Sequence, residues 1–95
     1  MPKEAVQRRI DENLSAIREY LERQFPGCTI TEECFPSRYY MFIVTHGPPF
    51  KCHKLKVDWL RLWRRDYTPE RTRSQLNVDS VASCMVRARH GYYPW

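Results

Sequence analysis

The chain has little glycine, no long apolar run and no paired-cysteine motif, and each shortage excludes something. Its three glycines, Gly27, Gly47 and Gly91, stand far apart, so no glycine-rich loop can cradle a phosphate. No apolar stretch approaches the ~20 residues needed to span a bilayer as a helix. Met1-Pro2-Lys3-Glu4 leads directly into a polar periodic segment without the apolar core of a signal peptide, so the expected location is cytoplasmic. No CxxC occurs among Cys28, Cys34, Cys52 and Cys84, and without a secretion signal these are expected as reduced thiols. There are no repeats and no low-complexity segments.

Ninety-five residues predict a single small domain with one modest core. An apolar content of 42% and a charged content of 28% exclude a disordered composition. The net charge of +5 is unevenly spread: residues 1–36 sum to −2 and residues 37–95 to +7. This asymmetry fits a basic face for nucleic acid or an acidic protein surface, and it equally fits an acidic helix that merely lies near a basic half.

The pattern is densest from Ser37 to Val57. Arg38–Thr45 is apolar on both faces and predicts a central strand, and Phe50–Val57 returns beside it. The apolar positions of the return, Phe50 and Cys52 and then Leu55 and Val57, change parity, which predicts a bulge near His53-Lys54. The loop through Gly47-Pro48-Pro49 is too rich in proline for a two-residue turn. Cys28–Cys34 alternates, and Glu32-Glu33 places it at a sheet edge. Val6, Ile10, Leu14, Ile17, Leu21 and Phe25 recur on a 3.6-residue period and predict a helix over about 3–25, with Pro2 in its first turn and Pro26-Gly27 ending it. Trp59–Trp63 fits either a strand, with Trp59, Arg61 and Trp63 opposite Leu60 and Leu62, or a short helical turn capped by Asp58, and the helical turn is the expectation. Thr68-Pro69-Glu70 is a helix start for about 69–76. Asn77 then caps a last helix over about 78–90, with Val78, Val81, Ala82, Met85 and Val86 as its stripe and His90-Gly91 as its end. The fold expected is α+β: a three-stranded antiparallel meander covered by an N-terminal and a C-terminal helix, in the order α-β-β-β-α-α.

The order α-β-β-β-α with a Gly-Pro loop resembles that of double-stranded-RNA-binding domains, in element order alone. That resemblance implies phosphate contacts from a lysine-rich start of the last helix. The corresponding stretch here, Thr68 to Arg73, has no lysine, and the extra helix and aromatic tail also depart from the pattern.

Candidate chemistry is sparse. Cys52 and His53 are adjacent and face opposite ways on a strand, and Cys28 and Cys34 are six apart, so neither spacing suits zinc. Cys34 could meet His46 only through a particular strand register. No catalytic constellation is evident, so the chain is expected not to be an enzyme, and no metal, cofactor or small-molecule substrate is expected. The strongest signal is Arg61, Arg64, Arg65, Arg71 and Arg73 among Trp59, Trp63 and Tyr67, with Lys54 and Lys56 nearby. Guanidinium groups bind phosphate through forked donors, and exposed rings stack on bases. The expected function is therefore a small binding module, nucleic-acid-associated or regulatory. The alternative is a protein-interaction or self-associating module, such as a homodimer, anchored by Tyr92, Tyr93 and Trp95, since Tyr, Trp and Arg dominate interface hot spots. Those same tail rings are equally suited to fold back on the sheet. A thiol- or metal-dependent activity is the third alternative.

Overall fold

The computed structural model describes residues 3–47, 51–89 and 91–95. The expectations placed on Pro2, on Pro48, Pro49 and Phe50, and on His90 lie outside the described residues.

The 3.6-residue stripe forms helix α1, Lys3–Gln24. Ile10, Leu14, Ile17 and Leu21 are buried along it, and Phe25 is buried just beyond its end. The buried surface is wider than the stripe, because Asn13, Ala16 and Tyr20 are buried as well. Gly27, at φ +80°, turns the chain into the sheet, a conformation that only glycine adopts freely.

Strands β1 (Thr29–Phe35), β2 (Tyr39–Thr45) and β3 (Cys52–Asp58) form the expected antiparallel meander. Phe42, Val44, Leu55 and Val57 are fully buried against the helices. The alternate residues, among them Thr31, Glu33, Met41, Ile43, Lys54 and Lys56, lie on the opposite, uncovered face. The expected bulge is absent: pairing runs unbroken from Tyr39↔Asp58 to Thr45↔Cys52. Cys52 is exposed on the open face, so its parity was never that of the core, and the strand needs no extra residue.

Asp58 accepts a hydrogen bond from the Leu60 N–H (2.9 Å) at the start of the expected helical turn, α2 (Leu60–Trp63). Helix α3 (Pro69–Val78) begins at Thr68, whose hydroxyl accepts from the Arg71 N–H. The last helix is shorter than the sequence suggested: α4 is Val81–Arg87. Asn77 does not cap it, since its side-chain amide donates back to the Arg73 carbonyl. The break falls instead at Ser80, at φ +50° in the left-handed region. Val78 and Val86 consequently point outward, at 71% and 54% exposure, while Val81, Ala82 and Met85 are buried.

The larger correction concerns the sheet, which is four-stranded and mixed in the order β1-β2-β3-β4. Tyr93–Pro94 forms β4, parallel to β3, with Leu55 opposite Tyr93 and Lys56 opposite Pro94. The pairing is extended by Trp95 N–H donating to the Lys56 carbonyl (2.7 Å) and Asp58 N–H donating to the Trp95 carbonyl (2.8 Å). Helices α2 to α4 supply the long crossover that a parallel pair requires. Proline is tolerated because β4 is an edge strand. Among the described residues, no helix is long and apolar enough to cross a membrane.

Candidate anion-binding surface

At the Tyr39–Asp58 end of the sheet, cations and aromatic rings alternate. Lys56 projects from β3 onto the open face, with its Nζ 4.6 Å from the centre of the Tyr39 ring and 5.5 Å from that of Tyr92. The neighbouring β4 brings in Trp95, and over that ring lies the Arg61 guanidinium of α2, at 4.2 Å. Arg61 is also 5.5 Å from the Tyr67 ring, and Arg71 of α3 is 5.0 Å from the same ring. Each ring presents its negative face to a cation, which fixes long side chains that would otherwise be free to move. Arg38 completes the group: with Tyr39, Lys56, Asp58, Pro94 and Trp95 it lines a depression of about 390 Å³.

The backbone under this surface is tied down from within. Asn13 is fully buried in α1. Its amide N–H groups donate to the carbonyls of Leu62 (3.0 Å) and Tyr67 (2.8 Å), and its oxygen accepts from the Thr72 hydroxyl (2.9 Å). Only one orientation of the amide satisfies all three. One side chain thereby fixes α2, the following loop and α3 relative to α1. The Arg9 guanidinium adds a bond to the Trp63 carbonyl (2.7 Å). Neither residue stood out in the sequence. The signal for Asn13 was its spacing, three after Ile10 and four before Ile17, which puts a polar residue on the apolar stripe.

Of the seven cations singled out in the sequence, Arg61, Arg64, Arg71 and Lys56 belong to this surface. Asp66 bridges Arg64 and Arg71, each at 3.6 Å and each more than half exposed, so these pairs add little to stability. Arg65 is exposed and makes no ion pair among the described residues. Arg73 does not join them. It faces a depression of about 710 Å³ between α1 and α3, lined by Glu4, Asp11, Glu12 and Glu70. Lys54 lies on the open sheet face, over no ring among the described residues.

The tail residues have different roles. Trp95 is a core residue at 8% exposure, and its indole N–H donates to Asp79 (2.9 Å). That bond, with a second from Gln75, holds the Asp79 carboxyl below its ordinary range. Tyr93 packs against the core, where burial and the adjacent Cys84 push its hydroxyl up. Tyr92 is exposed. Of the tail aromatics, Tyr92 and Trp95 thus each have a cation over the ring, Lys56 on the open face and Arg61 of α2 respectively.

The opposite end of the sheet holds the imidazoles. Cys34 is paired with Tyr40, so the register that could have brought it to His46 is not the one formed. Cys28 takes that place, with its Sγ 3.3 Å from His46 Nδ1. His53 stands edge-on to His46 at 4.9 Å, and Phe25 packs on both rings. Burial, then His46 and Lys51, lowers the pKa of His53. Cys52 and His53 do face opposite ways. No group of three His, Cys, Asp or Glu suited to a metal ion occurs among the described residues.

Comparison with protein-family models, with curated proteins and with solved structures found no match to this chain.

Proposed function

We propose that the chain is a non-catalytic binding module that holds a nucleic-acid backbone along the cation–aromatic surface of Arg38, Lys56, Arg61, Arg64 and Arg71. The observation that carries this reading is the seating of Lys56, Arg61 and Arg71 on the rings of Tyr39, Trp95 and Tyr67. A cation held in place loses less freedom when it meets a phosphate, so pre-positioned guanidinium and ammonium groups favour an anionic polymer. Two of these rings are poorly placed to stack on bases. Trp95 is buried, and Tyr39 has Phe35 at 4.5 Å as well as Lys56. The reading is therefore of phosphates rather than of base sequence.

The test is fluorescence anisotropy with single- and double-stranded DNA and RNA of mixed sequence at two salt concentrations. Affinity should fall steeply with salt. The double substitution Arg64→Ala with Arg71→Ala should weaken binding uniformly across sequences and reduce the salt slope by about 2, roughly one for each phosphate no longer neutralised. No binding at low salt, or an unchanged slope in the variant, refutes the assignment.

A protein-interaction module is the second reading, favoured by the half-buried Met41 and Ile43 on the uncovered sheet face. Light scattering over a concentration series distinguishes a self-associating chain, whose mass rises, from one that stays monomeric.

A further inference from the structure

The Cys28–His46 pair has no part in the proposed anion surface, and its geometry is that of a nucleophile beside a base. Cys28 follows directly on Gly27 and comes level with His46 one step beyond the last paired residues, Thr29 and Thr45. The imidazole is firmly placed. Its backbone N–H donates to the Lys51 carbonyl (2.8 Å), Phe25 meets the ring edge-on at 5.9 Å, and His53 does so at 4.9 Å. Its Nδ1 is aimed at the Cys28 sulfur, while Nε2 is buried without a hydrogen-bond partner among the described residues. Buried polar groups are mostly hydrogen-bonded, so an unpartnered ring nitrogen calls for a reason. Among the described residues the thiol is the hydrogen-bonding contact of the ring, and the other cysteines have no such neighbour. Cys34 and Cys52 are exposed, with Cys52 near the Thr45 hydroxyl (3.6 Å), and Cys84 donates to the Asp79 carbonyl.

We propose that Cys28 is a peroxide-reactive thiol, a modification site in which His46 serves as the base. The Cys28 S–H passes its proton to His46 Nδ1, and the sulfur attacks one oxygen of hydrogen peroxide. The O–O bond breaks, and the departing hydroxide takes the proton from His46 to leave as water. Sulfur is oxidised by two electrons to the sulfenic acid, and the peroxide is reduced. Cys28 packs against the core while Cys52 lies on the open face, so the product has no cysteine at hand to form an internal disulfide and remains open to a small external thiol.

Exposure alone predicts the opposite order of reactivity, since Cys28 is half-buried and Cys34 and Cys52 are exposed. The full chain is treated with sub-stoichiometric hydrogen peroxide in the presence of dimedone, and the adducts are located by peptide mass spectrometry. Cys28 should carry most of the label. His46→Asn should lower its labelling relative to Cys34 by roughly tenfold or more, the loss expected when a general base is removed. In the urea-unfolded chain the preference should vanish. Preferential labelling of Cys34 or Cys52 overturns the proposal, as does an unchanged Cys28 rate in the variant or a preference that survives unfolding. The competition among the four thiols of the unaltered chain decides the matter even if the variant fails to fold.

Discussion

The two ends of the sheet use aromatic rings in opposite ways. At the Tyr39–Asp58 end, rings lie under lysine and arginine side chains, and those side chains reach solvent. At the Thr45–Cys52 end, Phe25 encloses two imidazoles, and burial works against the charged form of His53. The difference follows from position relative to the core. Lys56 and Arg61 lie over rings at the margin, where the charged head stays wet and a cation over a ring face is favoured. His46 has turned a nitrogen into the interior, away from any hydrogen-bond partner among the described residues. One end thus gathers cations over rings at the margin, and the other gathers imidazoles and a thiol against the core.

The comparison can be broken most severely at Trp95, which belongs to the core and to the cationic end at once. Trp95→Ala should destabilise the chain by about 3 to 5 kcal/mol, as loss of a buried large ring does. Urea unfolding followed by circular dichroism measures this. Removal of Tyr92 to Trp95 should cost at least as much, because β4 and its bonds to Lys56 and Asp58 go too. A folded, stable truncated chain would show that the tail is an appendage.

Asn13→Ala attacks the cationic end alone. It leaves the carbonyls of Leu62 and Tyr67 and the hydroxyl of Thr72 without their partner, for a cost of about 3 kcal/mol. Anion affinity should fall with it at temperatures where the variant is still folded, while the preferential reaction of Cys28 should persist. Loss of both together would mean that the two ends are not separable.

The sequence made much of this frame legible, and the places where it failed have physical causes. Helix α1 and strands β1 to β3 follow from long periodic patterns. Strand β4 is two residues long and contains Pro94, too short to show any period, and its pairing is parallel and distant in sequence. The break between α3 and α4 depends on the conformation of Ser80, a residue type that does not announce a left-handed turn. Arg61, Arg64 and Arg71 were found as a cluster because they crowd the chain near Tyr67. Arg73 was wrongly grouped with Arg71, although residues two apart on a helix do not share a face. The Cys28–His46 meeting is a matter of register, which the separate strands did not reveal.

Between the two ends, Glu32 of β1 accepts from Arg18 at 2.5 and 2.6 Å and from the Tyr40 hydroxyl at 2.7 Å. The bonds from Arg18 hold the Glu32 carboxyl below its ordinary 4.5, against the opposing effect of burial. Its contribution to stability is therefore present above that pH and is lost as the pH falls through the lowered value. Burial and the bond to Glu32 push Tyr40 up to about 12 from 10.0. That contribution is present below pH 10 and is lost as the pH rises through about 12. Arg18 is partly exposed, so Glu32→Gln should cost only about 1 kcal/mol at neutral pH. Urea midpoints should then depend less on pH at both extremes, and an absorbance titration should show one tyrosine ionising at lower pH. An unshifted titration would mean that the triad does not persist in solution.

The smallest expected effect on stability is the most informative about the cationic end. Lys54 and Lys56 lie on the same strand and the same open face, but among the described residues only Lys56 sits against rings. Lys56→Ala should cost about 0.5 to 1 kcal/mol in stability, the usual scale of an exposed cation–π contact. Lys54→Ala should cost nothing measurable. If rings pre-position the cations that meet phosphate, Lys56→Ala should also reduce the salt slope of nucleic-acid binding by about 1, and Lys54→Ala by less. Equal losses in the two variants would leave overall charge as the sole source of affinity, and the alternation of rings and cations would then be a feature of packing. A loss confined to Lys54→Ala would move the binding surface to the open sheet face, towards Met41 and Ile43 and away from the tail.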